Sequence, residues 1–200
     1  MNQKVLKCDY SNEIINTMTT SVSDTDLLHL TASGDESAFC ELYKRYSGPI
    51  FYYLLRLIHE KKDAEDLLQE VFLAVWKGAR NFRGQSQVKT WLYRIAHHQA
   101  ISWLRRYKKV APFDDLFETD RRDGPEEVVS GHWPSDQIQE ALDTLSLKQR
   151  EVVELTFIHR MSYTEIAEIM GCPVGTIKSR MSYALRMLND MIKSDIKINP

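Results

Sequence analysis

The sequence SYTEIAEIMGCPVGTIKSRMSYALRML, residues 162–188, predicts two helices joined by a sharp turn. Ser162 and Glu165 match a capping box, in which a hydroxyl and a carboxylate bind the free N–H groups at a helix start. Apolar residues then recur at three- and four-residue spacing, as in an amphipathic helix. Gly171 permits the backbone of a tight turn, and Pro173 prevents the first helix from continuing. The segment is therefore typical of a helix-turn-helix unit.

The second helix of this unit, which we expect to begin at Thr176, has an apolar and a polar side at about 100° per residue. The polar side and its flanks contain the candidate DNA-contacting residues Thr176, Lys178, Ser179, Arg180, Ser182, Tyr183 and Arg186. No carboxylate occurs from residue 169 to residue 189, so nothing on this face repels phosphate. Basic and hydroxyl side chains contact phosphates and base edges. An antiparallel hairpin with a solvated face is the alternative, and the turn favours DNA recognition.

The rest of the sequence also predicts helices and no sheet. Apolar residues recur at helical spacing before and after residues 47–49, where Ser-Gly-Pro predicts an interruption. A further amphipathic helix is predicted to end near Gly78, and a long one covers residues 88–109 after a polar break at 81–87. No segment shows sustained alternation of β-branched and polar residues. The predicted fold class is all-α.

Charge and composition divide the chain into two domains. Residues 74–109 contain nine Lys or Arg and no Asp or Glu, which favours a polyanion-binding surface over a solvated basic face. Residues 110–134 contain seven acidic residues, three prolines and no periodic apolar face, which predicts a flexible acidic linker. The predicted organisation is a tail at 1–23, helical domains at 24–109 and 135–193 on either side of the linker, and a tail at 194–200.

Several functions are not expected from this sequence. The N-terminus lacks the apolar core of a signal peptide, and the most apolar stretch, 51–58, is too short to span a bilayer. We therefore expect a cytoplasmic protein without membrane insertion. No Cys-x-x-Cys pair occurs, and His97 and His98 point about 100° apart on a helix, so we expect no metal and no cofactor. The carboxylates form no acid–base constellation, so we expect no catalytic residue and no enzyme.

Three sequence motifs resemble the extracytoplasmic-function (ECF) group of the sigma-70 family of RNA polymerase sigma factors. LSLKQREVVELTF at 145–157, followed by the helix-turn-helix unit at 162–180, resembles sigma region 4. DAEDLLQEVFLAVW at 63–76 resembles the polymerase-binding helix of region 2. NFRGQS at 81–86 and TWLYRIA at 90–96 resemble the promoter-melting segment. The motifs occur in the family's order with a linker between them, so the resemblance is specific.

The resemblance implies a region 2 helical bundle at 24–109 and a region 4 helix-turn-helix domain at 135–193. It implies that the clamp helices of the largest polymerase subunit contact Asp66, Gln69, Glu70 and Trp76. It implies that the minus-10 element is recognised and melted by Phe82, Arg83, Gln85, Trp91, Arg94, His98 and Trp103. The polar face of the second helix-turn-helix helix would read the minus-35 element. The implied partners are core RNA polymerase, including the flap of its second-largest subunit, promoter DNA and an anti-sigma factor.

The aromatic and basic residues of the melting segment suit single-stranded DNA on physical grounds. Bases can stack on the rings while cations follow the phosphates. For Trp91 and Trp103, packing in the core is an equally good interpretation. His98 departs from the family pattern, in which many relatives have Asn, and an imidazole cannot make the paired contacts of an amide. The identity of the minus-10 element is therefore open.

Other classes of protein make different predictions about the first domain. A DNA-binding regulator of the response-regulator type would need a receiver or ligand domain, and residues 24–109 lack a doubly wound pattern. An enzyme acting on nucleic acid would need a metal cluster or an acid–base constellation. A protein-binding adaptor derived from a sigma factor would be expected to lose the basic helix at 176–186, which is intact.

Overall fold

The computed structural model describes residues 22–107, 142 and 144–196, with side chains up to residue 190. These residues form seven α-helices and one short 3-10 helix, and no strand occurs among them, which confirms the all-α prediction. The predicted linker at 110–134 and most of both predicted tails lie outside the described residues. Within the described ranges, no helix has an apolar stretch long enough to cross a bilayer.

The first domain consists of four helices and a short connecting turn. Their bounds are α1 Asp24–Ala32, α2 Glu36–Ile58, α3 Lys61–Gly78, the 3-10 helix Ala79–Asn81 and α4 Val88–Tyr107. Asp35 caps α2, where its carboxylate accepts hydrogen bonds from the backbone N–H groups of Ser37 and Ala38 at 2.8 and 3.0 Å. The predicted end of α3 at Gly78 and the long α4 are both present.

Helix α2 continues through Pro49, so the predicted interruption at 47–49 is wrong. A proline inside a helix removes one backbone hydrogen bond and costs about 3 kcal/mol. The two halves of α2, however, bury apolar side chains in the same core: Phe39 lies before the proline, and Ile50 and Leu54 lie after it. Each such burial contributes roughly 1.5–3 kcal/mol. Packing along the whole helix therefore outweighs the local preference of the proline.

The described part of the second domain contains three helices, α5 Leu147–Phe157, α6 Tyr163–Met170 and α7 Val174–Ile196. The capping box predicted at Ser162 is present, because its hydroxyl accepts from the Glu165 N–H while the Glu165 carboxylate accepts from the Ser162 N–H at 2.8 Å. A second capping box, at Ser146 and Gln149, begins α5. Two predicted helix starts are thus confirmed.

The turn between α6 and α7 has the predicted geometry. Gly171 has φ +62°, in the left-handed region that glycine adopts without strain. The side chains of Ala167 and Ile177 are buried where the two helices meet. Helix α7 begins at Val174, two residues before the predicted start, and runs to Ile196, into the predicted tail. This confirms the helix-turn-helix unit.

The two domains pack against each other. Helix α4 lies against α2 and α3 on the side of its own domain and against α6 on the other, while α5 reaches α2. One connected core of buried side chains runs through both domains. Helix α4, the predicted promoter-melting helix, therefore lies at the domain boundary.

Candidate nucleic-acid interface

The residues predicted to read duplex DNA lie together on the exposed side of α7. Five of them are exposed: Lys178, Ser179, Ser182, Tyr183 and Arg186. Thr176 and Arg180 are half-buried at the flanks. The opposite side of the helix, with Ile177, Met181 and Ala184, is buried. The structure therefore separates the polar and apolar faces as the helical spacing predicts.

Two of the basic side chains on this face are held by their neighbours. The Arg186 guanidinium lies 4.8 Å from the centre of the Tyr183 ring, in a cation–π contact. The Arg180 Nη1 group lies 3.6 Å from Cys172 Sγ, next to the turn. Arg180 is thus held near the start of α7, whereas Arg186 extends along its exposed side. The two arginines present their charges at different positions on one face.

The residues predicted to bind the minus-10 strand divide into two groups. Phe82 packs on Trp91, with ring centres 5.4 Å apart, and only 9% of Trp91 is exposed. Arg83 and Gln85 are exposed in the loop that precedes α4. Trp103, on the last turns of α4, is half-buried and stacks on Tyr107. In this arrangement Trp91 packs within the protein, which is the alternative interpretation that its sequence left open.

A cavity of about 310 Å³ on α4 brings three of the predicted residues together. Its lining consists of Trp91, Arg94, Ile95, His98, Gln99 and Ser102. His98 is exposed, and its Nδ1 lies 2.6 Å from the Arg94 carbonyl oxygen, which can only accept. Nδ1 therefore donates, and Nε2 is left to face a ligand. The cavity offers a ring, a cation and an imidazole within one concave surface.

The predicted polymerase-binding residues lie on α3. Asp66, Gln69 and Glu70 are exposed, on the side opposite the buried Leu67 and Val71. The fourth residue, Trp76, is half-buried, with its ring edge-on to Phe39 and ring centres 5.1 Å apart. Three of the four residues are therefore accessible to a partner, while Trp76 is mainly held by packing.

A cluster of buried polar residues that no sequence pattern indicated lies between the domains. We call it the interdomain cluster; its members are Tyr53, Tyr93 and His97 of the first domain and Glu151, Glu154 and His159 of the second. Each of the six is at most 7% exposed. Isolated glutamates on a short helix look like solvated charges, and their partners are 54–98 residues away in the chain. No local pattern could have identified them.

Glu151 connects the two domains within this cluster. Its Oε1 accepts a hydrogen bond from the Tyr53 hydroxyl and lies 2.6 Å from His97 Nδ1. The Tyr93 hydroxyl lies 2.8 Å from His159 Nδ1. Among the described residues, neither oxygen of Glu154 has a hydrogen-bond partner. Arg56 Nε and His159 Nε2 each lie 3.6 Å from its Oε1.

Burial changes the acid–base properties of the cluster. Burial, followed by the charge of Glu151, raises the pKa of Tyr53 well above its ordinary value, and burial also raises the pKa of Tyr93. Both hydroxyls therefore remain donors at neutral pH. Burial likewise raises the pKa of Glu154, although the nearby His159 and Arg56 partly oppose it. Among the described residues, no group of three His, Cys, Asp or Glu could hold a metal ion.

A second set of polar contacts joins α4 to the helix-turn-helix unit. Lys89 Nζ donates to the His159 carbonyl oxygen at 2.6 Å, and the Thr90 hydroxyl donates to Glu165 at 3.2 Å. Arg94 Nη1 lies 3.3 Å from Glu168 Oε1. Burial alone would raise the pKa of Glu165, but its hydrogen bonds from Ser162 and Thr90 and the nearby Lys89 outweigh burial and lower it.

Comparison with known proteins matches both helical domains to a known family. Sigma-70 region 2 matches residues 42–110, and Sigma-70, region 4 matches residues 135–188. RNA polymerase sigma factor YlaC of Bacillus subtilis is 34% identical over 160 residues, which cover 77% of this chain and 92% of that protein. The ECF RNA polymerase sigma-E factor of Haemophilus influenzae is 29% identical over 187 residues, 88% of this chain and 98% of that protein.

A solved structure is similar as well. The sigma factor RpoE in complex with the anti-sigma factor NepR from Bartonella quintana has a TM-score of 0.62 and 29% identity, over 78% of this chain and 98% of that one. A helix-turn-helix domain with an exposed basic face, joined to a second helical domain, defines a DNA-binding protein of the transcription machinery. The chain belongs to the ECF group of the sigma-70 family, as its sequence motifs predicted.

Proposed function

We propose that this sigma factor binds core RNA polymerase, directs it to specific promoters and helps to separate the promoter strands for transcription initiation. The observation that carries the proposal is the exposed side of α7, where seven predicted contact residues lie together and no carboxylate occurs from residue 169 to residue 189. An uninterrupted cationic and hydroxyl surface on the second helix of a helix-turn-helix unit suits the major groove of duplex DNA.

Within this function, the cavity on α4 receives an unpaired base of the minus-10 strand. Trp91 and His98 line the cavity with aromatic rings, His98 supplies a hydrogen-bonding nitrogen, and Arg94 supplies positive charge for the phosphates. The exposed loop residues Arg83 and Gln85 extend this surface toward the start of α4. Trp103 lies outside the cavity, so its contact with DNA is a separate prediction.

The exposed acidic side of α3, with Asp66 and Glu70, pairs with basic residues of the polymerase clamp helices. The second domain contacts the flap of the second-largest subunit. An anti-sigma factor is a further partner, a proposal supported by the similarity to a sigma factor solved in complex with one. The protein acts in the cytoplasm, as a binding factor and not as an enzyme.

The test is transcription in a purified system. The protein is mixed with core RNA polymerase and genomic fragments, and run-off transcripts are mapped. We expect initiation at defined promoters that requires both the protein and core enzyme. The double substitution of Asp66 and Glu70 by Ala should weaken binding to core enzyme. Glu65→Ala is the matched control, because Glu65 is an exposed acid on the same helix outside the predicted contact set. Saturating protein without any promoter-dependent transcript would contradict the proposal.

A further inference from the structure

Two non-glycine residues in the described part of the chain have a left-handed backbone, His59 with φ +58° and Arg160 with φ +53°. His59 ends α2, where its N–H donates to the Leu55 carbonyl at 2.8 Å, and its Nε2 lies 2.8 Å from Arg150 Nη1. Arg160 lies in the loop between α5 and α6 and is exposed. Among the described residues, no group pairs with its guanidinium. The conformation of Arg160 therefore serves no contact of its own side chain within this part of the protein.

The neighbours of Arg160 in the sequence fix its backbone conformation. His159 and Met161 are 7% and 4% exposed, so both side chains point into the protein. The His159 carbonyl accepts from Lys89 Nζ at 2.6 Å, and the Met161 N–H donates to the Leu155 carbonyl at 3.0 Å. A residue with a Cβ has a steric cost in the left-handed region, whereas glycine has none. Glycine would therefore fit this position better, and the backbone does not account for the arginine.

The charges and the place of the loop leave Arg160 available to an external anion. Both carboxylates of α6 have partners: Glu165 accepts from the Ser162 N–H at 2.8 Å. Glu168 lies 3.3 Å from Arg94 Nη1. Arg160 itself comes two residues before the Ser162 N-cap of α6. In helix-turn-helix proteins the first helix crosses the DNA backbone while the second lies in the major groove. A cation just before the first helix therefore lies where phosphates pass.

We propose that Arg160 binds a backbone phosphate of the duplex beside the minus-35 element, and that its charge is retained here in spite of the backbone conformation. This rests on the proposed function and extends it, since Arg160 lies outside the predicted contact set on α7. The contact is independent of sequence, because a phosphate presents the same oxygens at every base pair. Arg160 then positions the helix-turn-helix unit while residues of α7 read the bases.

Two substitutions separate the charge of Arg160 from its backbone conformation. Arg160→Gly removes the guanidinium and fits the left-handed region, whereas Arg160→Lys keeps both the charge and the steric cost. Lys44→Ala is the matched control, because Lys44 is an exposed cation on α2 outside every predicted contact set. Each variant is prepared as the full chain and is assembled with core RNA polymerase into holoenzyme.

Binding of each holoenzyme to a promoter duplex is measured at a series of salt concentrations. Loss of one phosphate contact should make the slope of log K against log salt shallower by about 0.9. The difference in affinity between wild type and Arg160→Gly should therefore shrink about 3.5-fold between roughly 50 and 200 mM salt. Arg160→Lys and Lys44→Ala should keep the wild-type slope. The loss for Arg160→Gly should be the same on promoters substituted singly in the minus-35 element.

Thermal unfolding of the full chain is the second measurement. Arg160→Gly should unfold roughly 1–4 °C above wild type, because it relieves the left-handed conformation. Arg160→Lys and Lys44→Ala should unfold at the wild-type temperature. A variant that is more stable and yet binds DNA more weakly has lost a DNA contact, because damage to the fold would lower both stability and binding.

Three results would overturn the proposal. One is an Arg160→Gly holoenzyme with the wild-type affinity and salt slope. Another is unfolding of Arg160→Gly below the wild-type temperature, which would show that the arginine serves the fold. The third is weaker binding to core polymerase with unchanged DNA binding by the assembled holoenzyme, which would assign the charge to a protein partner. No promoter binding by wild-type holoenzyme would refute the proposed function and this proposal together, whereas the three results refute this proposal alone.

Discussion

Arg94 on α4 and Glu168 on α6 form an ion pair across the domain boundary, with Nη1 and Oε1 3.3 Å apart. The two side chains are 40% and 35% exposed, so solvent screening limits the pair to on the order of 0–1 kcal/mol. The ion pair is therefore notable for its position and not for its strength. A cation predicted to follow the promoter phosphates has a carboxylate of the same chain as its partner, and DNA must displace that carboxylate.

The two arginines on α7 should have different effects on promoter binding. Arg180→Ala should cost about 1–3 kcal/mol and relax base preference at one position of the minus-35 element, if Arg180 reads a base. Arg186→Ala should weaken binding evenly across sequences, because its guanidinium lies over Tyr183 on the exposed side. Binding of holoenzyme to singly substituted promoters distinguishes these outcomes. Asn189→Ala, further along the same helix, is the control, and unchanged affinity in both arginine variants would contradict the assigned face.

His98→Asn should alter base preference without altering affinity for core polymerase. His98 lines the α4 cavity with Nδ1 engaged by the Arg94 carbonyl, so Nε2 is the ring nitrogen left for a ligand, whereas an amide would offer both a donor and an acceptor. Open-complex formation on promoters mutated singly across the minus-10 element measures the change. Binding to core enzyme is the control, since α3 is not altered. An identical preference profile would make His98 a structural residue.

Replacing Pro49 should stabilise the first domain. Pro49 is exposed in the interior of α2, and Ala would restore a backbone N–H there, which is worth up to about 3 kcal/mol. Urea denaturation measures the free energy of unfolding. Gly48→Ala is the matched variant: a Cβ there meets nothing within 4 Å, so it should stabilise by about 0.5–1 kcal/mol. A loss of stability in both variants would contradict this prediction.

The stability of the packed domains should depend on the protonation of Glu154. The groups that face it are Tyr53 and Arg56 from α2, Tyr93 from α4, and Glu151 and His159 from its own domain. Because burial raises its pKa, Glu154 in the packed chain takes up a proton more readily than a hydrated glutamate does. The contribution of Glu154 is therefore fully present below the ordinary glutamate pKa and is lost as the pH rises through the raised value.

Glu154→Gln should remove this dependence. Above the raised pKa, the variant should be more stable than wild type, because it buries no charge; in acid the two proteins should converge. Thermal unfolding across a series of pH values measures the difference. Glu41→Gln, a half-buried glutamate of the first domain, is the control. A difference that does not vary with pH would contradict the assignment.

Local chemistry explains what the sequence predicted correctly. The capping box at Ser162, the turn at Gly171 and the two faces of α7 depend on residues within a few positions of each other, so spacing alone predicts them. Pro49 was misjudged because its local preference acts against the burial of side chains at both ends of α2. Long-range packing does not appear in a window of local sequence.

The interdomain cluster was unpredictable for a related reason. Tyr53 and Glu151 are 98 residues apart in the sequence. The spacing of residues in its own helix accounts for each of them without reference to the other. Burial of Trp91 also depends on a neighbour outside its helix, Phe82. The sequence left two interpretations of Trp91 equally good, and the fold favours packing. The roles of the site residues in DNA and polymerase binding stay predictions.

The exposure of the predicted contact residues bears on the order in which the two promoter elements are bound. The polar side of α7 is exposed to solvent while α6 packs against α4. This side can therefore bind duplex DNA first. Arg94, which lines the α4 cavity, is released from Glu168 only after the helix-turn-helix unit has moved away. Under the proposed function, binding of the upstream element then precedes the release of Arg94 for the unwound strand.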